Sequence, residues 1–202
     1  MLLVVDGRGN RSGASTTETT PDHPNGMITM AAKKTSMFTL TERVTVSAGA
    51  TDTFATIDLG SYVDVGDRQA LQVHSVDFIF QGTTASDDLT VDLGAGRELM
   101  VQLTDLNRGA FVFADDRSLV ASGSLNCDTV EGLQQSADLY PDNYGKGSDD
   151  GRYVVNDQLY ITARATALTN PCNVTVRVNA SIVSLTAKDF MAIAIQSTAA
   201  DN

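Results

Sequence analysis

The chain has 202 residues, of which 42% are hydrophobic and 19% are charged, so it is long enough to form one domain with a buried core. Its formal net charge of −11 disfavours a body that coats nucleic acid over a broad face, because phosphate binding needs clustered lysine and arginine. Two cysteines, Cys127 and Cys172, do not make a disulfide framework; small buried thiols are expected, and a single bridge is the alternative. No apolar run approaches the ~18 residues of a membrane-spanning helix, so no membrane span is predicted.

Residues 1–34 are a polar leader whose composition differs from that of the rest of the chain. The leader is rich in Thr, Gly, Ser and Pro and offers few apolar anchors, so we predict a flexible N-terminal arm or extension. The stretch that begins at Met30 also resembles a natural start, which would make residues 1–29 an upstream extension. Four basic and three acidic side chains give the leader a net charge of +1, against −12 for residues 35–202. Its basic side chains are candidate contacts to nucleic acid or to another copy of the chain: Arg8, Arg11, Lys33 and Lys34.

Three strands are predicted at the start of the body. The Thr-rich stretch from Phe38 to Val46 has high β propensity, and the short run from Phe54 to Leu59 ends at a glycine. The third and longest run is Gln69 to Gln81, in which the apolar side chains change from one face to the other. This change of face predicts a bulge or bend near His74.

The middle of the chain predicts a β-hairpin and a long loop. Apolar and polar residues alternate from Leu89 to Leu93 and again from Leu99 to Leu103, with a glycine turn between the two runs. Shorter strands are predicted at 111–114 and 118–125. The polar segment from 134 to 151 is the longest connection and is predicted to project from the body as a loop.

The last third of the chain has the clearest strand pattern. Apolar side chains occupy alternate positions from Leu159 to Ala163 and from Val174 to Ile182. Thr186 to Asp189 has the spacing of a capping box with a shorter acid in place of Glu or Gln. A short C-terminal helix over 190–195 is therefore predicted, with a strand as the alternative.

These runs amount to eight or nine strands without intervening helices of ten residues or more. That order argues against a parallel α/β sheet and predicts an all-β fold, an antiparallel sandwich or barrel, over residues 35–202 as a single domain.

The sequence offers no arrangement typical of an active site. His74 lies in a predicted strand and is expected to be a packed or hydrogen-bonded residue, and no nucleophile motif is present. Cysteine and histidine lack the pairwise spacing of a zinc site. We therefore predict a protein that is not an enzyme and that needs no cofactor.

Two groups of acidic residues leave alternatives open. The loop over 138–151 carries Asp138, Asp142, Asn143, Asp149 and Asp150, and its oxygens suit calcium, although their spacing is not that of an EF-hand. A solvated loop is the simpler interpretation. The neighbouring pairs Asp87–Asp88 and Asp115–Asp116 are expected to mark turns, and an acid pair working as in a glycosidase is the alternative.

The order of parts resembles the single jelly-roll coat proteins of small icosahedral viruses. The resemblance rests on the leader through Lys34, the strand series from Phe38 to Leu185 and the loop over 134–151. It implies a jelly-roll sandwich of about eight strands and a structural protein that assembles with copies of itself, with a second coat protein as an open alternative. It also implies a protein of the virion that is made in the host cytoplasm, and the opening Met1–Val5 is too short for the core of a signal peptide.

The leader departs from this family in being only weakly charged. The departure puts a genome-neutralising role in doubt and favours contacts between subunits. A carbohydrate- or ligand-binding β-sandwich module, with a calcium site in its loop, is the second hypothesis, although the chain has no tryptophan to stack on sugars. An enzyme that uses two carboxylates on a β-sandwich is the third.

Overall fold

The computed structural model describes residues 32–49, 52–84, 88–128, 132–136 and 151–198. These residues form ten strands and two helices. In chain order they are β1 (Ala32–Lys33), β2 (Phe38–Val46), β3 (Thr53–Asp58), β4 (Gln69–Gly82), α1 (Leu89–Leu93), β5 (Arg97–Thr104), β6 (Leu119–Asp128), β7 (Gly132–Ser136), β8 (Arg152–Val154), β9 (Gln158–Ala165), β10 (Cys172–Ser184) and α2 (Ala187–Thr198).

The strands form two five-stranded antiparallel sheets with the order of a jelly roll. In the first sheet β10 lies between β4 and the pair β1 and β2, and β8 is the outer neighbour of β4; the second sheet has the order β3-β9-β5-β6-β7. The pairs β2·β10, β3·β9, β4·β8 and β5·β6 alternate between the two sheets, as they do when one long hairpin is rolled up. The predicted all-β antiparallel sandwich of jelly-roll type is confirmed, with ten strands in place of eight or nine.

The core lies between the sheets because alternate side chains of each strand point inward. On β10 the inward residues Val174, Val176 and Val178 are fully buried, and their neighbours Arg177 and Thr175 are exposed or half-buried. On β5 the predicted inward residues are buried as well, among them Leu99. The alternation of apolar and polar residues in the sequence therefore indicates which face of each strand packs against the core.

The predicted irregularity at His74 is confirmed as a β-bulge. Ser75 is paired with Asn179 and Val73 with Ala180, so His74 is the additional residue in β4. The Ser181 hydroxyl donates to Gln72 Oε1 at 3.3 Å and lies 2.9 Å from His74 Nε2. The imidazole is therefore a hydrogen-bonded structural group, as predicted.

The predicted strand over 89–93 is wrong, because this segment is the helix α1. Asp88 caps its N-terminus by accepting a hydrogen bond from the Thr90 N–H at 2.9 Å. Leu89 and Leu93 are four residues apart, so one face of the helix turns both toward the core, while Val91 is exposed. A run of five alternating residues is too short to separate a strand from a single helical turn.

The predicted hairpin between 89–93 and 99–103 is also wrong. β5 pairs with β6 and β9, which are its neighbours in the second sheet. The predicted strand over 111–114 is likewise absent from the described fold, where these residues belong to the loop between β5 and β6. Both errors concern partners that are distant in sequence.

The predicted C-terminal helix is confirmed as α2. The Thr186 hydroxyl accepts from the Asp189 N–H at 3.2 Å, which is one of the two contacts of a capping box. The Asp189 carboxylate accepts from the Thr186 hydroxyl at 2.7 Å in place of the Thr186 backbone N–H. Phe190, Ile193 and Ala194 pack against a small apolar cluster on the outer face of the first sheet, formed by Ala70, Val155, Val183 and Leu185. The helix therefore covers one end of that sheet.

Only the ends of the predicted leader and of the predicted loop over 134–151 belong to the described residues. Residues 1–31 and 137–150 lie outside the described residues, and so do the predicted arm over most of its length and the loop with the candidate calcium ligands. Ala32 and Lys33 pair with Ser184 and Val183 of β10, and the Lys34 N–H donates to the Ile182 carbonyl at 2.8 Å. In the part of the chain that is described, no helix is long and apolar enough to cross a membrane.

Candidate functional site

A loop lies across the outer face of the second sheet. The loop comprises residues 105–118, between β5 and β6, and Gln102 of β5 holds it in place. The Gln102 Nε2 donates to the Val112 carbonyl at 2.9 Å, and the Val112 N–H donates to Gln102 Oε1 at 2.9 Å. Gln102 occupies an outward position in the strand, yet it is buried because the loop covers it.

Replacing Gln102 by leucine is expected to free this loop. The substitution leaves the N–H and the carbonyl of Val112 without these partners, which should lower the free energy of unfolding by about 2 kcal/mol. Hydrogen exchange is expected to show faster exchange at the Val112 amide, and urea denaturation gives the stability change. Gln158→Leu, at a half-buried position of β9, is the matched control. Unchanged protection at Val112 would contradict the role of Gln102.

The middle of the loop contacts an ion pair on β9. Arg164 donates two hydrogen bonds to the Asp52 carboxylate, one from Nε to Oδ1 and one from Nη2 to Oδ2. The distance between Nη2 and Oδ2 is 2.8 Å. The Arg164 guanidinium carbon lies 5.7 Å from the centroid of the Phe111 ring, a cation–π contact. Hydrogen bonding to Asp52 and its negative charge raise the pKa of Arg164 further. The charge of Asp52 is thus compensated within the sheet surface.

An open groove of about 440 Å³ runs between this loop and the outer edge of the second sheet. Neighbouring outward positions on β3, β9 and β5 are occupied by Phe54, Thr162 and Gln102. Because Gln102 holds the loop over β5, the loop leaves Phe54 on β3 uncovered. Phe54 is 53% exposed, and Phe113 on the loop is 83% exposed. The groove is lined by Phe54, Ala55, Thr56, Asn107, Gly109, Tyr160, Ile161 and Thr162.

The chemistry of the groove suits a neutral partner. Its lining contains two aromatic rings, hydroxyl groups and one amide but no charged side chain, so it offers apolar contact with a few hydrogen bonds. It could accept an extended polypeptide or a neutral polyol. A phosphate or a metal ion would find neither a counter-charge nor a carboxylate there.

A buried ion pair joins the two sheets at one end of the sandwich. Arg152 of β8 donates to the carbonyl of Arg117, which precedes β6, and to that of Leu119, the first residue of β6. Its Nη2 lies 3.4 Å from Asp105 Oδ2. The Asp105 side chain is only 3% exposed, and its other oxygen has no hydrogen-bond partner in the described structure. Burial raises the pKa of Asp105, and the positive charge of Arg152 opposes that shift.

Asp105 should make stability depend on pH. Its pKa in the native state is raised above its ordinary value of 3.8, so between those two values the native state holds more protons than the unfolded chain. The contribution of Asp105 to the free energy of unfolding should therefore decrease as the pH rises above about 3.8. Urea denaturation of the wild type and of Asp105→Asn across this range measures the effect as their difference. Parallel pH profiles for the two proteins would contradict it.

The acidic residues Asp88 and Asp116 also have structural partners. Asp116 accepts from the Ser118 N–H at 2.8 Å and pairs with Arg108 at 2.9 Å. Burial would raise the pKa of Asp116, but the hydrogen bonds from Ser118 and Arg108 together outweigh it and lower the pKa. The hydrogen bonds from Thr90 lower the pKa of Asp88 at the start of α1. The predicted turn role is confirmed for Asp115 and Asp116, which lie in the turns before β6, whereas Asp88 caps helix α1 and Asp87 lies outside the described residues.

The remaining candidate residues are distributed over the fold and do not converge. Lys33 and Lys34 are exposed at the point where the chain enters the first sheet, whereas Arg8 and Arg11 lie outside the described residues. Cys127 and Cys172 are free and buried, on β6 and β10, which confirms the expectation of two buried thiols. Burial raises the pKa of Cys172 to about 11, and the charge of Asp92 adds to this shift. Among the residues that the structure describes, no group of three or more His, Cys, Asp and Glu side chains is placed to hold a metal ion.

The groove was not predicted from the sequence. The sequence contained one signal for the groove, the alternation of Phe54 with Ala55 and Ile57. If Ile57 faces the core, the Phe54 ring must face outward, because the two positions lie on opposite faces of the strand. Asn107 and Gly109 carry no such signal, because a loop position has no period. Comparison with protein-family models and with curated proteins found no match for this chain.

Proposed function

We propose that this protein is a structural subunit of a viral shell, made in the host cytoplasm and assembled into the virion from copies of itself. The observation that carries the proposal is the jelly-roll strand order of the sandwich, which agrees with the layout that the sequence shares with small viral coat proteins. Because one fold serves many functions, the surface has to supply further support.

Exposed apolar side chains support association. Large apolar side chains are exposed on the second sheet and in the loops, among them Phe54, Met37 and Phe113. Contacts of this kind are individually modest, but a closed symmetric assembly repeats each of them many times, so their sum can stabilise a particle. The proposal assigns the protein neither a catalytic site nor a cofactor.

The leader is proposed as a tether between subunits. It enters the fold beside β10, where Lys33 and Lys34 are exposed, and so it starts from the edge of the first sheet. With a net charge of +1 the leader is a weak ligand for nucleic acid. Arg8, Arg11, Lys33 and Lys34 are therefore assigned to contacts with a neighbouring subunit first and with nucleic acid second.

The test is direct observation of assembly by the full chain. Negative-stain electron microscopy and sedimentation velocity across salt concentration and pH should show closed particles or discrete oligomers. High salt should favour assembly, since it screens the repulsion between chains of charge −11. A protein that stays monomeric under all these conditions would refute the proposal.

A carbohydrate- or ligand-binding module is the second candidate, and the groove favours it. The Phe54 and Tyr160 rings lie beside Thr56, Thr162 and an amide, which is a lining that can stack on a sugar ring and bond its hydroxyl groups. Binding on a glycan array that is lost in Phe54→Ala would support this function. Loss of binding on adding a chelator would implicate the loop over 138–151 as a calcium site.

A further inference from the structure

Strand β3 is an edge strand with fewer of the features that protect other edges of the sandwich. Within the described part of the chain it pairs with β9 on one side and with no strand on the other. Its six residues contain no lysine, arginine, proline or glycine, and its pairing with β9 is continuous from Thr53 to Asp58. An unpaired edge of this kind is a template for another strand.

Two other edges of the sandwich are protected. On β2 an acidic residue, Glu42, occupies an inward position between Leu40 and Val44, and Arg43 points outward. On the opposite edge of the same sheet, β8 has only three residues. Charges within edge strands and very short edge strands are known devices against pairing between molecules, whereas β3 has six residues and its single charged side chain, Asp58, lies at the end of the strand.

The surface at the Phe54 end of β3 is close to neutral although the whole chain is acidic. Asp52 is compensated by Arg164 there, whereas Asp58 keeps its charge at the far end of the strand, where its carboxylate accepts from the Gly60 N–H at 2.9 Å. Phe54 and Thr56 are the exposed outward side chains between them. Two chains that each carry −11 repel one another least where such compensated surfaces meet.

We propose that β3 pairs in antiparallel orientation with β3 of a second copy, about a two-fold axis at Phe54. The proposal deepens the proposed function, on which it rests, by naming one contact between subunits. It would join two five-stranded sheets into one ten-stranded sheet. A two-fold contact of this type is isologous, so the same strand serves both partners.

The pleat selects the register of this pairing. Residues directly opposite one another must point to the same face, so Phe54 can lie opposite Phe54 or Thr56 of the second copy but not opposite Ala55. Placing Phe54 opposite Thr56 would set Asp52 against Asp58, and like charges directly opposite are destabilising. Placing Phe54 opposite itself forms an aromatic pair and sets Asp52 against the Thr56 hydroxyl.

Single introduced cysteines test the register. Phe54→Cys should form a disulfide-linked dimer under mild oxidation, because the two copies of residue 54 are direct neighbours. Thr56→Cys should not, since four residues along a strand separate the two copies by ~13 Å, beyond the reach of a disulfide. The native Cys127 and Cys172 are buried and free, so they should not compete in the native state. Cross-linking at residue 56 in place of residue 54 would overturn the register.

Replacing Phe54 by lysine tests whether its aromatic ring forms the contact between the two copies. Phe54→Lys should reduce the dimer fraction in sedimentation velocity at least tenfold, because it places like charges at the axis. Met191→Lys on α2 makes the same charge change at a comparable exposure, 57%, and should leave association unchanged. Circular dichroism and urea denaturation of both variants establish that they fold.

The outcomes separate this inference from the proposed shell. Particles that form equally well in Phe54→Lys, with no cross-link at residue 54, would overturn the edge contact and leave the shell intact. Dimers linked at residue 54 without particles would support the edge contact and count against the shell. A wild-type protein that stays monomeric and gives no cross-link would overturn both.

Discussion

Replacing Leu99 by alanine is expected to lower the free energy of unfolding by about 3 kcal/mol. Leu99 is fully buried on β5, between β6 and β9, and its side chain belongs to the core between the two sheets. Removing its outer carbons loses the free energy that is gained by burying them away from water. It also leaves a cavity, which cannot easily close because strands flank β5 on both sides. Urea denaturation at neutral pH measures the change.

Leu133→Ala is the matched control for that substitution. Leu133 lies on the edge strand β7 and is 36% exposed, so the same change of side chain should cost less than about 1 kcal/mol. Equal losses in the two variants would mean that β5 is not the centre of the second sheet.

Replacing Arg152 by alanine is expected to cost about 3 kcal/mol, although no sequence pattern marks this residue. The substitution removes the cation beside the buried Asp105 and leaves the carbonyls of Arg117 and Leu119 without their donor. The arginine side chain is itself 24% exposed, which places the expected cost at the lower end for a broken buried pair. Urea denaturation is again the measurement.

Two controls isolate the ion pair. Arg177→Ala, on an exposed position of β10, should change stability by less than about 0.5 kcal/mol. In the Asp105→Asn background the cost of Arg152→Ala should fall, because no buried charge is then left unpaired. A cost that stays the same in that background would assign the effect of Arg152 to its carbonyl contacts alone.

Local patterns that depend on neighbouring residues predicted their part of the fold correctly. The change of face in the third predicted strand located the bulge at His74, because an additional residue shifts the alternation by one. The Thr186–Asp189 spacing located the start of α2, because its capping contacts lie within one turn. In both cases the deciding interactions lie close together in the sequence or in the pleat of one strand.

Patterns that depend on distant partners were misleading. The alternation over 89–93 is equally compatible with one helical turn, and the core contacts of Leu89 and Leu93 decide for the helix. Gln102 alternates with core residues and would be solvated on a bare sheet, but the loop that returns through Val112 buries it. Neither outcome can be read from residues close in sequence.

The candidate site follows the same division. The outward position of Phe54 was implied by the alternation of its strand, and the acidic charge of the chain was evident from its composition. That β3 is an edge, that Arg164 compensates Asp52 beside it, and that the loop over 105–118 forms the wall of a groove depend on strand order. The sequence by itself determined an all-β chain and the inward face of most of its strands, because alternation is a local property of the pleat. Only the tertiary structure decided which strands are neighbours and which end as edges, because those contacts join residues from different segments of the chain, in some cases more than a hundred positions apart, such as Asp52 and Arg164.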